Sequence, residues 1–499
     1  QRSEPDALAR LWAHRMRSLL SAPLLTASTP KAVVPVGETR TITFGGLLRF
    51  PERASAPGDV VSVVLHGSEA RALLTGRTPG DARLTFEREG AAVTVEVAVR
   101  PYAGSFPAEA EAFVTGNPAP SDLIERVARE AATKVVRLEP GATADVGKAW
   151  GAAALRPGHH IRVPVAVRVE GPGCLPRAGR VAVTVTNLRL RPAAKPVLFY
   201  SNHPERVKGY GSLFFGQLPP GRPARLLYHH QNALGRAFLF SVDLVNPFED
   251  PVRLHVTEGE ALPSRDPIEA GQQAARRFLR NQGVGAGYVV DLPPRSVTPV
   301  VHRLVRPWQV VSGLFALRQL GEGEGCYVHV RVDDPDEPFV RPPDAGEPPS
   351  PTIFETAYRP LEVHYTVGGP WAFVRLGSPP QAGESRLSEH GFGDYGVTYD
   401  IVLHLHNPSP QPERVGLVLE AASGQARALI VLDGKVVQTR TLSAHEEVVL
   451  AVYTLPPGAN RSVSIRTLPL SGSAYPVRLV ARTLPAAVAL GVGSTLHPH

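Results

Sequence analysis

Two stretches of this chain share one pattern and decide its fold. Residues 235–254 read GRAFLFSVDLVNPFEDPVRL, and residues 396–415 read GVTYDIVLHLHNPSPQPERV. They align without a gap at an offset of 161 positions, and Asn246-Pro247 matches Asn407-Pro408. In each, an alternating strand reaches an Asn-Pro turn and a second strand follows. This repeat predicts two related β-sandwiches, over residues 198–340 and 353–485.

Segments around the repeat predict the remaining organisation. The acidic, proline-rich stretch 341–352 is expected to be a semi-rigid linker between the two sandwiches. Residues 136–197 predict a smaller β module with strands near 160–169 and 181–190. Asp266 followed by proline predicts a helix over 266–280, inserted in the third domain and capped by that aspartate. Asp433-Gly434 predicts a tight hairpin in the last domain.

The segment 29–102 predicts a further sandwich. Apolar and polar residues alternate at 39–44, 60–65, 82–86 and 93–99, and turn residues separate these runs. The order VGET, VVSV, LTGRTPGDARLTF and VTVEV resembles bacterial Ig-like domains of type 2. It is also similar to the N-terminal Ig-like domain of pilus-assembly secretins. The resemblance implies a sandwich that serves as a spacer or adhesive module.

Helical spacing is confined to a few short segments. Within the N-terminal arm 1–28, residues 6–21 predict an amphipathic helix whose apolar stripe must dock on its own chain or on a neighbouring subunit. The candidate assembly residues on this stripe are Leu8, Leu11, Trp12 and Leu19. Residues 108–131 predict a second helix within a helical connector, 103–135. The C-terminal tail 486–499 is small and apolar and is expected to reach a neighbour.

These patterns together predict the fold class. The chain is expected to be mainly β, with tandem Ig-like β-sandwich domains, a short N-terminal helix and a few inserted helices. The 50 prolines and 46 glycines agree with this prediction, because proline is poorly tolerated inside helices and suits turns and strand edges.

Charge and hydropathy limit the partners. The formal net charge is +7, but no run of five basic residues occurs, so no nucleic-acid partner is predicted. Cell-wall or acidic polysaccharide stays open as a partner. Only six basic residues are lysines, an arginine-rich usage compatible with a thermophile. No apolar stretch of 18 residues predicts a transmembrane segment. The start at Gln1 favours a mature, secreted or cell-surface protein.

The sequence contains no motif that predicts catalysis or a cofactor. A P-loop, a His-Glu-x-x-His pair and a Gly-x-Ser-x-Gly elbow are all absent. We therefore predict no enzyme activity, no cofactor and no bound metal. Weak metal candidates remain, with a solvated strand face and a charged linker as the ordinary alternatives. They are His404 and His406, which share a strand face and could join His229-His230, and the calcium-type group Asp333, Asp334 and Asp336.

The two cysteines, Cys174 and Cys326, leave two alternatives open. They either form one disulfide or remain as two free thiols, because spacing alone does not decide pairing.

The predicted function is structural. Tandem sandwiches, a repeat and rigid linkers favour a subunit of an extracellular filament, sheath or surface layer whose partners are copies of itself. A monomeric adhesin or polysaccharide-binding protein is the alternative. A carbohydrate-binding face needs exposed aromatics. Most aromatics are expected in the core, and the available ones are Trp308, Trp371, Phe214, Phe215 and Tyr210. An accessory module or an unrecognised hydrolase is the second alternative.

Overall fold

The computed structural model describes residues 9–16, 23–56, 58–337, 352–377 and 394–485. The described chain is mainly β and confirms the predicted fold class of tandem Ig-like β-sandwich domains. Residues 9–16 form helix α1. Unit 1 holds the chain up to Ala112 with Ile124–Ala152 and Ile161–Val185; unit 2 holds Phe113–Leu123, Ala153–His160 and the chain from Thr186 onward.

Unit 1 contains the predicted N-terminal sandwich. Its strands are β1 (Thr26–Ala27), β2 (Lys31–Pro35), β3 (Thr39–Gly45), β4 (Arg53–Ser55), β5 (Val61–His66), β6 (Arg71–Gly76), β7 (Gly80–Arg88) and β8 (Ala91–Arg100), with a 3-10 turn at Gly67–Glu69. They form two sheets in the orders β1-β3-β6-β5 and β2-β8-β7-β4. Side chains alternate between core and solvent along strands such as β3 and β7. In the core, the rings of Phe44 and Phe86 lie with their centroids 4.8 Å apart. The four predicted strands are confirmed.

A smaller set of elements follows this sandwich. They are β9 (Gly104–Ser105), β10 (Glu109–Thr115), helix α2 (Ser121–Lys134), β11 (Arg137–Leu138), β12 (Thr143–Ala149), β13 (His160–Glu170) and β14 (Arg177–Asn187). β12 pairs antiparallel with β13, whose valines at 163, 165, 167 and 169 are buried.

The helix predicted over 108–131 is wrong in its first half. Residues Glu109–Thr115 form strand β10, and α2 begins only at Ser121. Pro118 and Pro120 lie between the two elements. Proline has no N–H and forces the residue before it into an extended conformation, so a helix cannot run through this segment.

The middle sandwich lies in unit 2. Its strands are β15 (Val197–Ser201), β16 (Arg206–Val207), β17 (Gly211–Gln217), β18 (Ala224–Asn232), β19 (Phe238–Asn246), β20 (Val252–Ser264), β21 (Gly287–Leu292), β22 (Ser296–Val305), β23 (Val310–Leu320) and β24 (Tyr327–Asp333). One sheet has the order β17-β24-β19-β22. The other contains β21-β20-β23-β18-β15, with β16 beside β18 and β25 (Thr352–Phe354) beside β15.

Helix α3 (Pro267–Gly283) confirms the predicted inserted helix and runs slightly longer than predicted. The Asp266 side chain accepts hydrogen bonds from the amides of Ile268 and Glu269, as the cap prediction requires. The helix packs on β20 at Gly259, where an added Cβ would lie only 2.3 Å from the Ala274 carbonyl oxygen. Glycine is needed here because the two backbones touch.

The last sandwich also lies in unit 2. Its strands are β26 (Tyr358–Thr366), β27 (Ala372–Leu376), β28 (Thr398–His406), β29 (Glu413–Ala421), β30 (Leu429–Leu432), β31 (Lys435–Gln438), β32 (Glu447–Leu455), β33 (Asn460–Thr467) and β34 (Val477–Thr483). They form sheets in the orders β26-β28-β33-β30-β31 and β27-β34-β29-β32. The predicted hairpin at Asp433-Gly434 is confirmed, since Leu432 pairs with Lys435.

One hydrophobic cluster joins the core of the last sandwich to buried residues of the middle sandwich, among them Leu198, Leu227 and Phe278. At the junction of the two sandwiches the buried Arg225 of β18 donates to the carbonyl oxygens of Ala357 (2.9 Å) and Gly396 (2.8 Å) and to the hydroxyl of Thr398 (2.7 Å). Its guanidinium also lies 5.0 Å from the ring centroid of Phe278 in α3. The Arg225 side chain therefore contacts both helix α3 of the middle sandwich and the segments around β26 and β28 of the last sandwich.

The repeated stretches occupy equivalent places in the two sandwiches. β19 pairs with β22 as β28 pairs with β33, and β20 pairs with β21 as β29 pairs with β32. The sheets differ beside the repeated strand. β24 lies antiparallel to β19, whereas β26 lies parallel to β28.

Candidate functional site

The outward face of the β26-β28-β33 sheet carries an unusual concentration of polar side chains. Alternation along β28 sends Ile401, Leu403 and Leu405 into the core, so that Asp400, His404 and His406 lie on the opposite face. We call this side of the three strands the polar face. It consists of Tyr358, Glu362, His364, Asp400, His404, His406, Asn460, Ser462, Ser464 and Arg466.

Two histidines and a glutamate meet near the middle of the polar face. His364 of β26 is the direct neighbour of His404 of β28 in the parallel register, and their rings stack with centroids 4.7 Å apart. Glu362 lies two residues before His364 and so points to the same side. One ligand atom from each of the three side chains lies within 4.8 Å of the other two. This set could hold a metal ion.

The neighbouring strand orients one of these imidazoles. His404 Nδ1 lies 3.0 Å from Ser462 Oγ of β33. This contact engages one of the two ring nitrogens of His404. His406, one step further along β28, has its Nδ1 2.8 Å from Asn460 Oδ1 and takes no part in the cluster.

An ion-pair network closes one end of the polar face. Arg466 donates to both carboxylate oxygens of Asp400, at 2.5 and 2.9 Å, and the Tyr358 hydroxyl donates to the same carboxylate at 2.6 Å. Burial alone would raise the pKa of Asp400, but the hydrogen bonds from Arg466 and Tyr358 hold that pKa below its usual value. Asp400 is therefore committed to a structural ion pair.

Two shallow hollows lie on the polar face. One of about 490 Å³ covers the Asp400 end, and one of about 330 Å³ covers the histidine end. The second is lined by His364, His404, His406, Asn460 and Ser462, among others. The histidine cluster is thus reachable from solvent.

The structure brings together only part of the predicted histidine group. His404 and His406 share a face as predicted, but their expected partners His229-His230 are buried in the middle sandwich. His230 there contacts Ser201 Oγ at 3.0 Å, and burial lowers the pKa of His229 to about 3. The residues that do lie beside His404 are His364 and Glu362, and neither was predicted from the sequence. Their spacing of two along a strand of the same domain was the available signal.

The predicted calcium-type group does not form an oxygen-lined loop. Asp333 is fully buried at the end of β24 and contacts Arg331, and Asp334 pairs with Arg236 at 3.3 Å. Asp336 donates its amide to the Asp334 side chain. Arginines thus already neutralise two of the three carboxylates of this weak candidate group.

The predicted assembly helix is exposed where it is described. Leu11 and Trp12 are 64% and 60% exposed, and Met16 beside them is 54% exposed. Leu8 and Leu19 lie outside the described residues. The described part of the stripe thus finds no cover among the described residues.

A second apolar surface lies at the start of β27, which forms the end of its sheet in the described chain. Trp371 and Phe373 are 62% and 66% exposed, and the Arg482 guanidinium lies 4.7 Å from the Trp371 ring centroid. Of the other aromatics available from the sequence, Trp308 is 53% exposed and faces Arg206, whereas Phe214 and Phe215 are buried. We call Trp371 and Phe373 the aromatic pair.

Both cysteines are free thiols. Cys326 is buried in unit 2, and burial raises the pKa of its thiol to about 12. Cys174 is partly exposed. Of the two alternatives left open by the sequence, the structure has the free thiols and not the disulfide.

Comparisons with known proteins show no family for this chain. No family model and no curated protein matches this chain. Solved structures similar to it are the titin Ig tandem domains (9% identity, 34% of this chain and 99% of that one, TM-score 0.15) and the Bacteroides ovatus mixed-linkage glucan utilization locus SGBP-B in complex with a mixed-linkage heptasaccharide (9%, 59% and 75%, 0.14). Another is the N-terminal CBM22 tandem domain from Paenibacillus barcinonensis Xyn10C (11%, 61% and 95%, 0.11). These values are too low to transfer a function.

The class of protein follows from the architecture described above: a chain of tandem Ig-like β-sandwiches. Among the described residues, no helix is both long and apolar enough to cross a membrane.

Proposed function

We propose that this chain is a non-catalytic, extracellular structural protein that assembles with copies of itself. The observation that carries the proposal is the presence of two separate exposed apolar surfaces. One is helix α1 near the start of the chain, and the other is the aromatic pair in the last sandwich.

The first surface is costly to leave in water. Burying a large apolar side chain stabilises by roughly 1.5–3 kcal/mol, and Leu11, Trp12 and Met16 all remain mostly exposed. A short helix has little stability of its own and gains it by packing. A second chain that covers the stripe would supply that packing.

The second surface lies where a sheet ends. β27 has β34 as its neighbour on one side and forms the end of its sheet in the described chain. Edge strands that expose apolar side chains are ready sites for pairing with another chain. Trp371 and Phe373 therefore give this edge a side chain surface as well as a backbone to bind.

Two different surfaces favour open-ended assembly. When helix α1 of one copy binds the aromatic pair of the next copy, the contact joins two different surfaces. Such a heterologous contact can repeat without closing. The Arg225 junction and the hydrophobic cluster that joins the middle and last sandwiches support a stiff repeating unit. We therefore favour a filament, sheath or surface layer.

The wider setting is part of the same proposal. We assign the 29–102 sandwich to the type 2 bacterial Ig-like modules that its sequence resembles, and we place the protein outside the cell, secreted or at the cell surface. The arginine-rich surface ion pairs, such as Arg168 with Glu170 and Arg253 with Asp291, favour a thermophilic source.

A mixing experiment tests the assembly. One variant carries Leu11→Ser and Trp12→Ser, a second carries Trp371→Ser and Phe373→Ser, and the control carries Leu304→Ser, which removes another exposed leucine. We expect the mass of the wild type and of the control to rise with concentration in light scattering. Each double variant alone is expected to stay monomeric.

The mixture of the two double variants gives the decisive result. Each keeps the surface that the other has lost, so an equimolar mixture is expected to form dimers that grow no further. A wild type that stays monomeric at high concentration, or a mixture that stays monomeric, would overturn the proposed contact.

The aromatic pair also favours a second candidate, a monomeric polysaccharide-binding adhesin. Exposed aromatic rings offer flat apolar surfaces against which sugar rings can pack, and the neighbouring Arg482 adds hydrogen-bond donors. This candidate predicts that Trp371→Ser with Phe373→Ser abolishes retention on a polysaccharide matrix while the mass in solution stays that of one chain.

A further inference from the structure

We propose that Glu362, His364 and His404 form a binding site for one divalent transition-metal ion, of which Zn²⁺ is the representative. The proposal does not depend on self-assembly. It rests on the register of the sheet, the donor set, the orientation of His404 and access from solvent.

The register brings the ligands together without a loop. β26 and β28 are parallel, and His364 pairs directly with His404 over a stretch of nine matched residues. Both strands are held from below by the core, where Tyr365, Leu403 and Leu405 are buried. The site is thus built on rigid elements, which favours defined ligand positions.

The donor set suits a borderline metal ion. Two imidazole nitrogens and one carboxylate form a set that is known for Zn²⁺ and other first-row divalent ions, whereas Ca²⁺ and Mg²⁺ prefer all-oxygen sites. Metal–ligand bonds of about 2.0–2.2 Å put tetrahedral ligand atoms about 3.3 Å apart. The three atoms here lie within 4.8 Å of one another, so modest rotamer changes of the exposed Glu362 and His364 would complete the geometry around the half-buried His404.

The surroundings support the same reading. The Ser462 hydroxyl near His404 Nδ1 is the kind of outer partner that fixes the orientation of a metal-ligating imidazole. Arg461 also lines the hollow. Its guanidinium lies 3.8 Å from the Asp433 carboxylate and 4.5 Å from the Tyr453 ring centroid, so these groups and not the histidine cluster receive its charge. The open hollow leaves room for water in the remaining coordination positions.

The test uses the full chain with His497→Ala and His499→Ala as the common background, because the C-terminal His-Pro-His could bind metal by itself. Calorimetric titration with Zn²⁺ and visible absorption with Co²⁺ measure affinity, stoichiometry and coordination. We expect one ion per chain. Glu362→Gln, His364→Ala and His404→Ala are each expected to weaken binding by more than about tenfold, the lower end of the loss seen even for outer partners.

His406→Ala is the matched control, because His406 lies on the same strand and face but outside the cluster. It is expected to bind Zn²⁺ like the background protein. Thermal unfolding with and without Zn²⁺ separates loss of the site from loss of the fold: a folded variant that lacks the site keeps its melting temperature but loses the shift on adding metal. The proposal would be overturned if the background protein did not bind Zn²⁺ at millimolar concentration. It would also be overturned if His364→Ala and His404→Ala bound Zn²⁺ as tightly as the background protein does.

Discussion

Asn246 and Asn407 make the same set of hydrogen bonds at the ends of equivalent strands. Asn246 Nδ2 donates to the carbonyl oxygens of Asp250 and Pro293, and Asn407 Nδ2 donates to those of Gln411 and Pro456. In both, Oδ1 accepts the amide two residues further on. In both repeats the asparagine side chain therefore connects the end of one strand to the residues that follow the turn and to a neighbouring strand connection. We call this set of hydrogen bonds the asparagine clamp, and Asn246 and Asn407 its clamp residues.

Replacing either clamp residue is expected to destabilise its own sandwich. Asn407→Ala removes the three hydrogen bonds to the carbonyls of Gln411, Leu455 and Pro456 and the one from the Ser409 amide, so we expect a loss of about 2–4 kcal/mol in the free energy of unfolding. Chemical denaturation measures it. The exposed Asn460→Ala serves as control and should cost less than about 0.5 kcal/mol. Equal losses in both variants would contradict the clamp.

Arg225 is expected to be essential for the junction of the two sandwiches. Burial lowers its pKa to about 10, so the guanidinium stays charged at neutral pH and needs its acceptors. Arg225→Met keeps the volume but removes the three guanidinium hydrogen bonds to Ala357, Gly396 and Thr398, at a cost of about 2–4 kcal/mol. Denaturant unfolding is expected to show two transitions instead of one. The surface variant Arg236→Met should leave a single, unshifted transition.

At Gly271 a glycine-to-alanine change is expected to lower stability, whereas the same change inside most helices raises it. Replacing a helix-interior glycine by alanine usually stabilises by about 1 kcal/mol. An added Cβ on Gly271 of α3 would lie only 1.9 Å from the Ser471 carbonyl oxygen of the last sandwich, so Gly271→Ala is expected to destabilise by about 1–3 kcal/mol. Gly283→Ala, at the open end of the same helix, meets nothing within 4 Å and should not destabilise. Thermal melts compare the two.

Buried histidines predict a loss of stability in mild acid. Burial lowers the pKa of His229 to about 3 and those of His230 and His329 to about 4, against about 6.5 in the unfolded chain. The unfolded chain therefore binds more protons between these values. The stability that these neutral histidines contribute is complete above pH 6.5 and is lost as the pH falls toward 4, by up to about 3 kcal/mol per histidine.

Unfolding measured from pH 7.5 to pH 4 checks this dependence. His329→Gln is expected to flatten the curve, because one titrating group is removed from the buried set. His406→Gln, on the exposed polar face, is expected to leave the slope unchanged. A slope equal to that of the wild type in His329→Gln would contradict the assignment.

Local features of the sequence were enough for most of the fold. Alternation marked strands such as 39–44 and 93–99, Asp433-Gly434 marked a hairpin, and Asp266-Pro267 marked the start of α3. Each depends on contacts within a few residues, which a sequence displays directly. The same reasoning failed at 109–115, where helical spacing coincided with a segment that tertiary pairing and nearby prolines make a strand.

The site depended on contacts that the sequence does not display. His404 was recognisable as an outward-facing histidine, but its neighbour His364 precedes it by forty positions and becomes adjacent only through parallel pairing of β26 with β28. Arg225 likewise meets Ala357 and Gly396 only because one hydrophobic cluster joins the two sandwiches. The repeat and its turns were thus determined by local backbone preference and hydrophobic alternation. Which side chains converge was decided by strand order, because register across a sheet depends on the whole packed core.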